Sequence, residues 1–274
     1  MTDWVHAVVE WPLGVNVAIV TAWSALFSWL AVTAIRRAWP HPAFKENNEL
    51  VGFTYAVYGL IYGVFLAFII VVAWQRFAAT EQLVMHEATI LSELWRDSLA
   101  FPSAFRDAIH RDLIEYAQSA IDDEWPAMAA GGQAHPNTQA VYERLWAIAY
   151  HIQPQTTNQE AFLAEFLARM NELSGIRRLR ILHSGIDINR VLWLVLLVGA
   201  VPTVVYPMLF SSRHAWVQVA ITGCITLIVL LGLLVTLQLQ HPFSGDVGIE
   251  PAAFRDLLVS FHDRLLAESV SVGP

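Results

Sequence analysis

The sequence predicts an all-α membrane protein of four transmembrane helices, with a helical polar domain inserted between spans two and three. Three observations predict it. Of 274 residues, 56% are hydrophobic and only 15% charged, and the mean hydropathy is +0.47, which no ordinary water-soluble domain shows. Four apolar stretches are long enough to cross a ~30 Å hydrocarbon core as helices rising about 1.5 Å per residue. Between the second and third lies a polar region with ten Arg and fifteen Asp or Glu, and no stretch of it alternates with the two-residue period of a strand.

The organisation that follows is residues 1–75 with spans 13–35 and 51–75, a helical domain over 76–190, residues 191–240 with spans 191–210 and 215–239, and a tail over 241–274. The amino end, MTDWVHAVVEWPLG, lacks a basic segment and a small-residue cleavage site. The first span therefore reads as a retained helix. Trp11-Pro12 precedes it, and Arg36, Arg37 and Trp39 suit an interface at its exit. Pro40, Pro42 and Lys45-Glu46-Asn47-Asn48-Glu49 make a short loop. The third span carries Pro202 and Pro207, which membrane helices tolerate with a kink. Ser211 to His214 form a tight turn into the fourth span.

The second span is the most informative stretch. Gly52 to Trp74 carries no charge. At about 100° per residue, Gly52, Ala56, Gly59, Gly63 and Ala67 fall in one small-residue stripe, which reads as a helix-packing seam. Val57, Ile61, Val64, Phe65, Phe68 and Val72 fall on the opposite, bulky side. Periodicity leaves that side facing either lipid or the throat of a pore. The helix continues into the polar region, where Leu91, Leu94, Trp95 and Leu99 recur at helical spacing to about Ala100, and Pro102 stops it. Ser103 can cap a helix through Asp122; Pro126, Gly131-Gly132 and Pro136 break the chain; Asn137 can cap a helix to about Ile152. Thr157-Asn158-Gln159-Glu160 matches a capping box opening a helix toward Leu182.

Composition also excludes. A net charge of −8 argues against nucleic-acid binding. The single cysteine, Cys224, permits no intrachain disulfide and no cysteine metal site. His86-Glu87 lacks the second histidine of a zinc-protease motif, because position 90 is Ile90. Asp122-Asp123-Glu124 reads as an acidic helix end. A hydrolase using His86, Glu87 and the acids near Asp122 is the weakest reading, and no enzyme, metal or cofactor is expected. No span contains an intramembrane charge, so proton-coupled carriers and pumps are disfavoured. A passive pore and a membrane-anchored interaction module both fit. The charge bias does not orient the chain: Arg36, Arg37, Lys45 and Arg213 stand against Arg76, Arg177, Arg178, Arg180 and Arg190. The last group also makes a basic patch (Arg177, Arg178, Arg180) near the membrane.

The stretch GVFLAFIIVVAWQRF is similar to the bestrophin pore helix, and His241-Pro242-Phe243-Ser244-Gly245-Asp246 resembles the segment after the last bestrophin span. Glu87-Ala88 with Leu91, Glu124-Trp125-Pro126, Arg177-Arg178 and Pro242-Phe243 resemble the bacterial bestrophin-like family over about residues 45 to 260. The resemblance implies a homo-oligomeric ion channel, a pentamer, in a plasma or bacterial inner membrane, with termini and helical domain cytosolic. Matching Trp74 to the exit tryptophan of that family places Val57, Ile61 and Phe65 at an apolar pore neck, with Phe68 and Val72 as further pore-lining positions. The small stripe then packs against neighbouring helices. The permeant ion, chloride or a monovalent cation, stays open. Eukaryotic bestrophins follow this segment with an acidic run that helps hold calcium; here Val247, Gly248 and Ile249 come next, so no calcium gating is expected. The rival reading is a nonconducting oligomeric scaffold or sensor whose helical domain binds a partner.

Overall fold

The computed structural model describes residues 8–38, 48–185, 189–210, 212 and 214–271. The loop residues Trp39, Pro40, Pro42, Lys45, Glu46, Asn47, Ser211 and Arg213 lie outside them. Among the described residues every regular element is helical, and the chain divides into two units, residues 1–77 with 187–248 and residues 78–186 with 249–274.

The first unit holds α1 (Leu13–Ala38), the first half of α2 (Asn48–Ser98), α7 (Arg190–Val205) with a 3₁₀ turn (Tyr206–Leu209), and α8 (Ala215–Gln240). All four helices are long and apolar enough to cross a membrane. Their burial pattern is that of a membrane protein: Trp23, Leu26, Trp29 and Leu30 of α1 are exposed, whereas Ser24 and Ser28 are buried against α8 with Thr222 and Thr226. Small polar side chains let two backbones approach where no hydrophobic force separates lipid from interior. Gly223 marks the approach, since a Cβ there would lie 3.1 Å from Ser28 Oγ. The hydroxyls of Ser24 and Thr226 donate to carbonyls of their own helices, Val20 and Thr222. In α7, Pro202 supplies no N–H to the preceding turn. Around it Tyr58 Oη and Thr203 Oγ1 donate to the Gly199 carbonyl at 3.1 and 2.9 Å, and Tyr62 Oη to the Leu196 carbonyl at 3.3 Å. Trp193 Nε1 donates to Gln240 Oε1 at 2.9 Å, joining α7 to α8.

The second unit holds the rest of α2, α3 (Ser103–Ser119), a π turn (Ala120–Glu124), α4 (Trp125–Ala129), α5 (Pro136–His151), α6 (Thr157–Ser184) and α9 (Ala252–Ser271). Several local expectations change. Pro102, not Ser103, occupies the cap of α3, and no side chain caps it. Pro126 does not break the chain: the π turn just before it leads straight into α4, where the missing proline N–H falls in the first turn. The cap of α5 is His135, while Asn137 Nδ2 donates to Asp123 Oδ2 at 3.1 Å. The cap of α6 is Thr156, one residue before the expected box, and its hydroxyl accepts from Gln159 N at 3.2 Å. The tail is not separate either. From Ile249 it belongs to this unit, and α9 buries Phe254, Leu257 and Phe261 there. Trp95 is stacked between His110, 3.6 Å away, and Phe261, 4.3 Å away.

Candidate functional site

The uncharged stretch lies in one unbroken helix, α2, and its membrane half presents three faces. Tyr62, Leu66, Ile69 and Ala73 are buried within the unit. This seam meets glycines on the neighbouring helices, because a Cβ on Gly199 would lie 2.7 Å from the Tyr62 ring and one on Gly232 2.7 Å from Leu66. About 100° to one side of the seam lies the bulky set, and about 100° to the other the small stripe. On the bulky side Val57 is 46% exposed, Ile61 65% and Phe68 64%, whereas Phe65 and Val72 are half-buried. The reason is geometric: successive four-residue steps rotate by about 40°, so the line Val57, Ile61, Phe65 walks toward the seam.

The small stripe is uncovered inside the subunit at three of its five positions. Ala56, Gly63 and Ala67 are exposed, and a Cβ on Gly63 would meet nothing within 4 Å. Gly59 approaches only Tyr55 of its own helix, and Gly52 lies near Phe210. The close helix crossings within the subunit are made instead by the glycines of α7 and α8.

The polar unit gathers four of the family-motif residues, Glu87, Glu124, Trp125 and Arg177, at one buried cluster. Arg180, fully buried, donates from Nε to Glu87 Oε2 at 2.6 Å and from Nη2 to Glu87 Oε1 at 3.0 Å and Glu124 Oε2 at 2.6 Å. Arg177 donates from Nη2 to Glu124 Oε1 at 2.7 Å and from Nη1 to Gln139 Oε1 at 2.6 Å. Tyr116 Oη donates to Glu87 Oε1 at 2.6 Å. The Arg180 guanidinium lies 5.2 Å from the Trp125 ring centroid and 5.7 Å from that of Phe254, and Trp125 Nε1 donates to the Ile249 carbonyl at 2.9 Å. Two guanidiniums thus face two carboxylates. Burial pushes the Glu124 carboxyl up, but Arg180 and Arg177 outweigh it and hold it below the usual carboxylate range. Burial, with Glu87 beside it, pushes the Tyr116 phenol well up. The expected basic patch does not exist, because Arg177 and Arg180 are consumed in buried pairs and only Arg178 is exposed. Sequence reasoning missed Tyr116 and Phe254; for Phe254 a signal was present in the helical spacing of Phe254, Leu257 and Phe261.

A second charged group surrounds Arg169. Glu93, Asp97 and Glu165 all face this one guanidinium. Asp97 Oδ2 lies 3.0 Å from Arg169 Nε but out of line with its N–H, so neither atom completes a hydrogen bond. Burial raises the Asp97 carboxyl, and Arg169 and Arg96 do not offset it.

The motif residues after the last span lie in the membrane unit. Pro242 and Phe243 are buried. Gly245 adopts φ +72°, and a Cβ there would lie 2.2 Å from the Val9 carbonyl oxygen, so only glycine fits. Asp246 Oδ2 accepts from Leu13 N at 3.0 Å, satisfying an open N–H at the start of α1. Pro126 is exposed. The hydrolase residues do not converge: His86 pairs at the surface with Glu172 at 3.0 Å, Glu87 is buried on Arg180, and Asp122 accepts from Gln118. Among the described residues no three His, Cys, Asp or Glu side chains are grouped so as to hold a metal.

Comparison with known proteins agrees with this architecture. The chain resembles a mutant form of a bacterial bestrophin homolog from Klebsiella pneumoniae, with a TM-score of 0.67 and 12% identity, over 90% of this chain and 99% of that one. A second structure of the Klebsiella pneumoniae homolog gives a TM-score of 0.64 and 14% identity, over 90% of this chain and 97% of that one. At such identities the likeness concerns the fold. No curated protein sequence matches the chain. The family model of the Bestrophin-like domain matches residues 22–254. With that match spanning most of its length, the chain belongs to the Bestrophin-like domain family.

Proposed function

We propose that the chain is a subunit of a passive, bestrophin-like ion channel, in which the second membrane helix of each of several copies lines a central pore. The observation that carries this reading is the exposed, uncharged bulky face of α2, set apart from the seam by which the helix packs in its own subunit, in a member of this family. Val57, Ile61 and Phe65 form the neck, and Phe68 and Val72 extend its lining. A ring of apolar side chains gives an ion nothing in place of its hydration shell, so a narrow ring blocks by dewetting and a wider one conducts. The small stripe of Gly52, Ala56, Gly59, Gly63 and Ala67, open at Ala56, Gly63 and Ala67, packs against helices of adjacent copies. The assembly is a homopentamer in a plasma or bacterial inner membrane, with the polar unit and the termini in the cytosol. The permeating species is an inorganic ion, chloride or a monovalent cation, and no catalytic step is involved.

The reading is tested first by the mass of the purified protein in detergent. Five subunits per particle are expected, and a monomer overturns the pore. A nonconducting scaffold would also be oligomeric, so recording of the reconstituted protein under asymmetric salt separates the two. A unitary current with a displaced reversal potential supports the channel and names the sign of the ion; a silent oligomer supports the scaffold.

A further inference from the structure

We propose that the polar unit carries a binding site for a small organic anion, one charged phosphate or carboxylate group on an apolar body, in the cleft between α5, α6 and the turn at residues 130–135. The cleft has a volume of about 300 Å³ and is lined by Ala134, Gln139, Tyr142, Arg177, Arg178 and Ile181, with Ser174 at its side. That size suits a small ligand.

The charged residues that line the cleft are arginines, Arg177 being already paired with Glu124 behind the wall. Two guanidiniums line it and no carboxylate does. Arg178 is exposed and has neither an ion pair nor a hydrogen bond among the described residues. Arg177 reaches the cleft from its buried side. Nε and one N–H of Nη2 go to Glu124, and one N–H of Nη1 goes to Gln139. Of the five N–H groups a guanidinium carries, two are left without a partner among the described residues. One guanidinium held rigid in the wall and another free to swing over the same cleft can both present N–H groups to phosphate or carboxylate oxygens.

The other wall is apolar and fixed. The Tyr142 ring lies with the Arg177 guanidinium 5.3 Å from its centroid. Trp146 Nε1 donates to Tyr142 Oη at 2.7 Å, Ser174 Oγ donates to the Met170 carbonyl at 2.7 Å, and the two hydroxyls bond each other. These groups have little left to offer a ligand, so Tyr142, Ala134 and Ile181 contribute surface area. A bare, strongly hydrated ion gains nothing from such a wall, whereas a ring or short alkyl body does. The turn beside the cleft is set by glycine: Gly131 has φ +73°, and a Cβ on Gly132 would lie 2.3 Å from the Ala127 carbonyl oxygen.

The test uses the full-length protein in detergent, titrated calorimetrically with phenyl phosphate, with inorganic phosphate and benzyl alcohol as separate titrants. Saturable binding of phenyl phosphate is expected, weakened about tenfold or more by Arg178→Gln, which removes one charge-assisted contact. Ile181→Trp, which fills the cleft, should weaken it likewise, with the melting temperature and particle mass of both variants unchanged. Absence of saturable binding, or binding unaffected by both variants, overturns the site. Inorganic phosphate binding as tightly as phenyl phosphate overturns the apolar half of the assignment. The proposal does not depend on conduction.

Discussion

Arg180 shows how much one side chain can hold in place. Its guanidinium joins Glu87 of α2 to Glu124 at the end of the π turn, under the rings of Trp125 and Phe254. Removing one partner of a buried pair leaves the other charged and uncompensated, which costs about 3–5 kcal/mol. Arg180→Met is therefore expected to lower the melting temperature of the purified protein far more than Arg178→Met, whose side chain is exposed; equal effects would contradict the role of the cluster. Asp97 gives the opposite sign. A carboxyl whose pKa is raised on folding penalises the folded state above that pKa, and the penalty vanishes below the unfolded value of about 3.9. Asp97→Asn should thus melt higher than wild type near pH 7, with the advantage shrinking as the pH falls toward 4. A lower melting temperature at pH 7 would show that the contact with Arg169 is net stabilising. The motif residues Glu87, Glu124 and Arg177 were legible one by one, but their pairing was not. Ion pairs 53 to 93 residues apart in the chain leave no spacing to read, and three nearby arginines look like a surface patch until two of them are buried.

At the scale of elements, the wheel of α2 exposed size but not partnership. It separated small from bulky residues, yet the seam that packs within the subunit combines Tyr62, Leu66, Ile69 and Ala73, which share no size class and so formed no stripe. The glycines that this seam requires stand on other helices. Gly199→Val and Gly232→Val push into Tyr62 and Leu66, and overpacking of this kind costs about 1–3 kcal/mol; both should lower the melting temperature. Gly63→Val meets open space. It should leave the melting of the subunit unchanged and reduce the oligomer recovered by size exclusion. Unchanged assembly would argue against the small stripe as the contact between copies. The local misreadings have the same character. A proline normally ends a helix, but the π turn at Ala120–Glu124 carries the chain past Pro126, and no single-residue rule signals that widening.

For the molecule as a whole, the four spans and the inserted helical region could be read directly, because lipid imposes length and apolarity on each crossing. The place of the tail could not. Its helix α9 docks through Phe254 and Phe261 onto Arg180, Trp125 and Trp95, and those contacts join residues far apart in the sequence. Orientation stayed open too, since five basic residues against four carry no weight. The claim on which the functional account turns is that the bulky face of α2 surrounds an axial path. It is tested most directly by planar-bilayer recording of the Ile61→Ala, Phe65→Ala double variant beside the wild type. Widening an apolar neck should raise the open-channel or leak current at every voltage, without altering the sign of the reversal potential. Zero conductance in both proteins, or identical currents, would contradict the account.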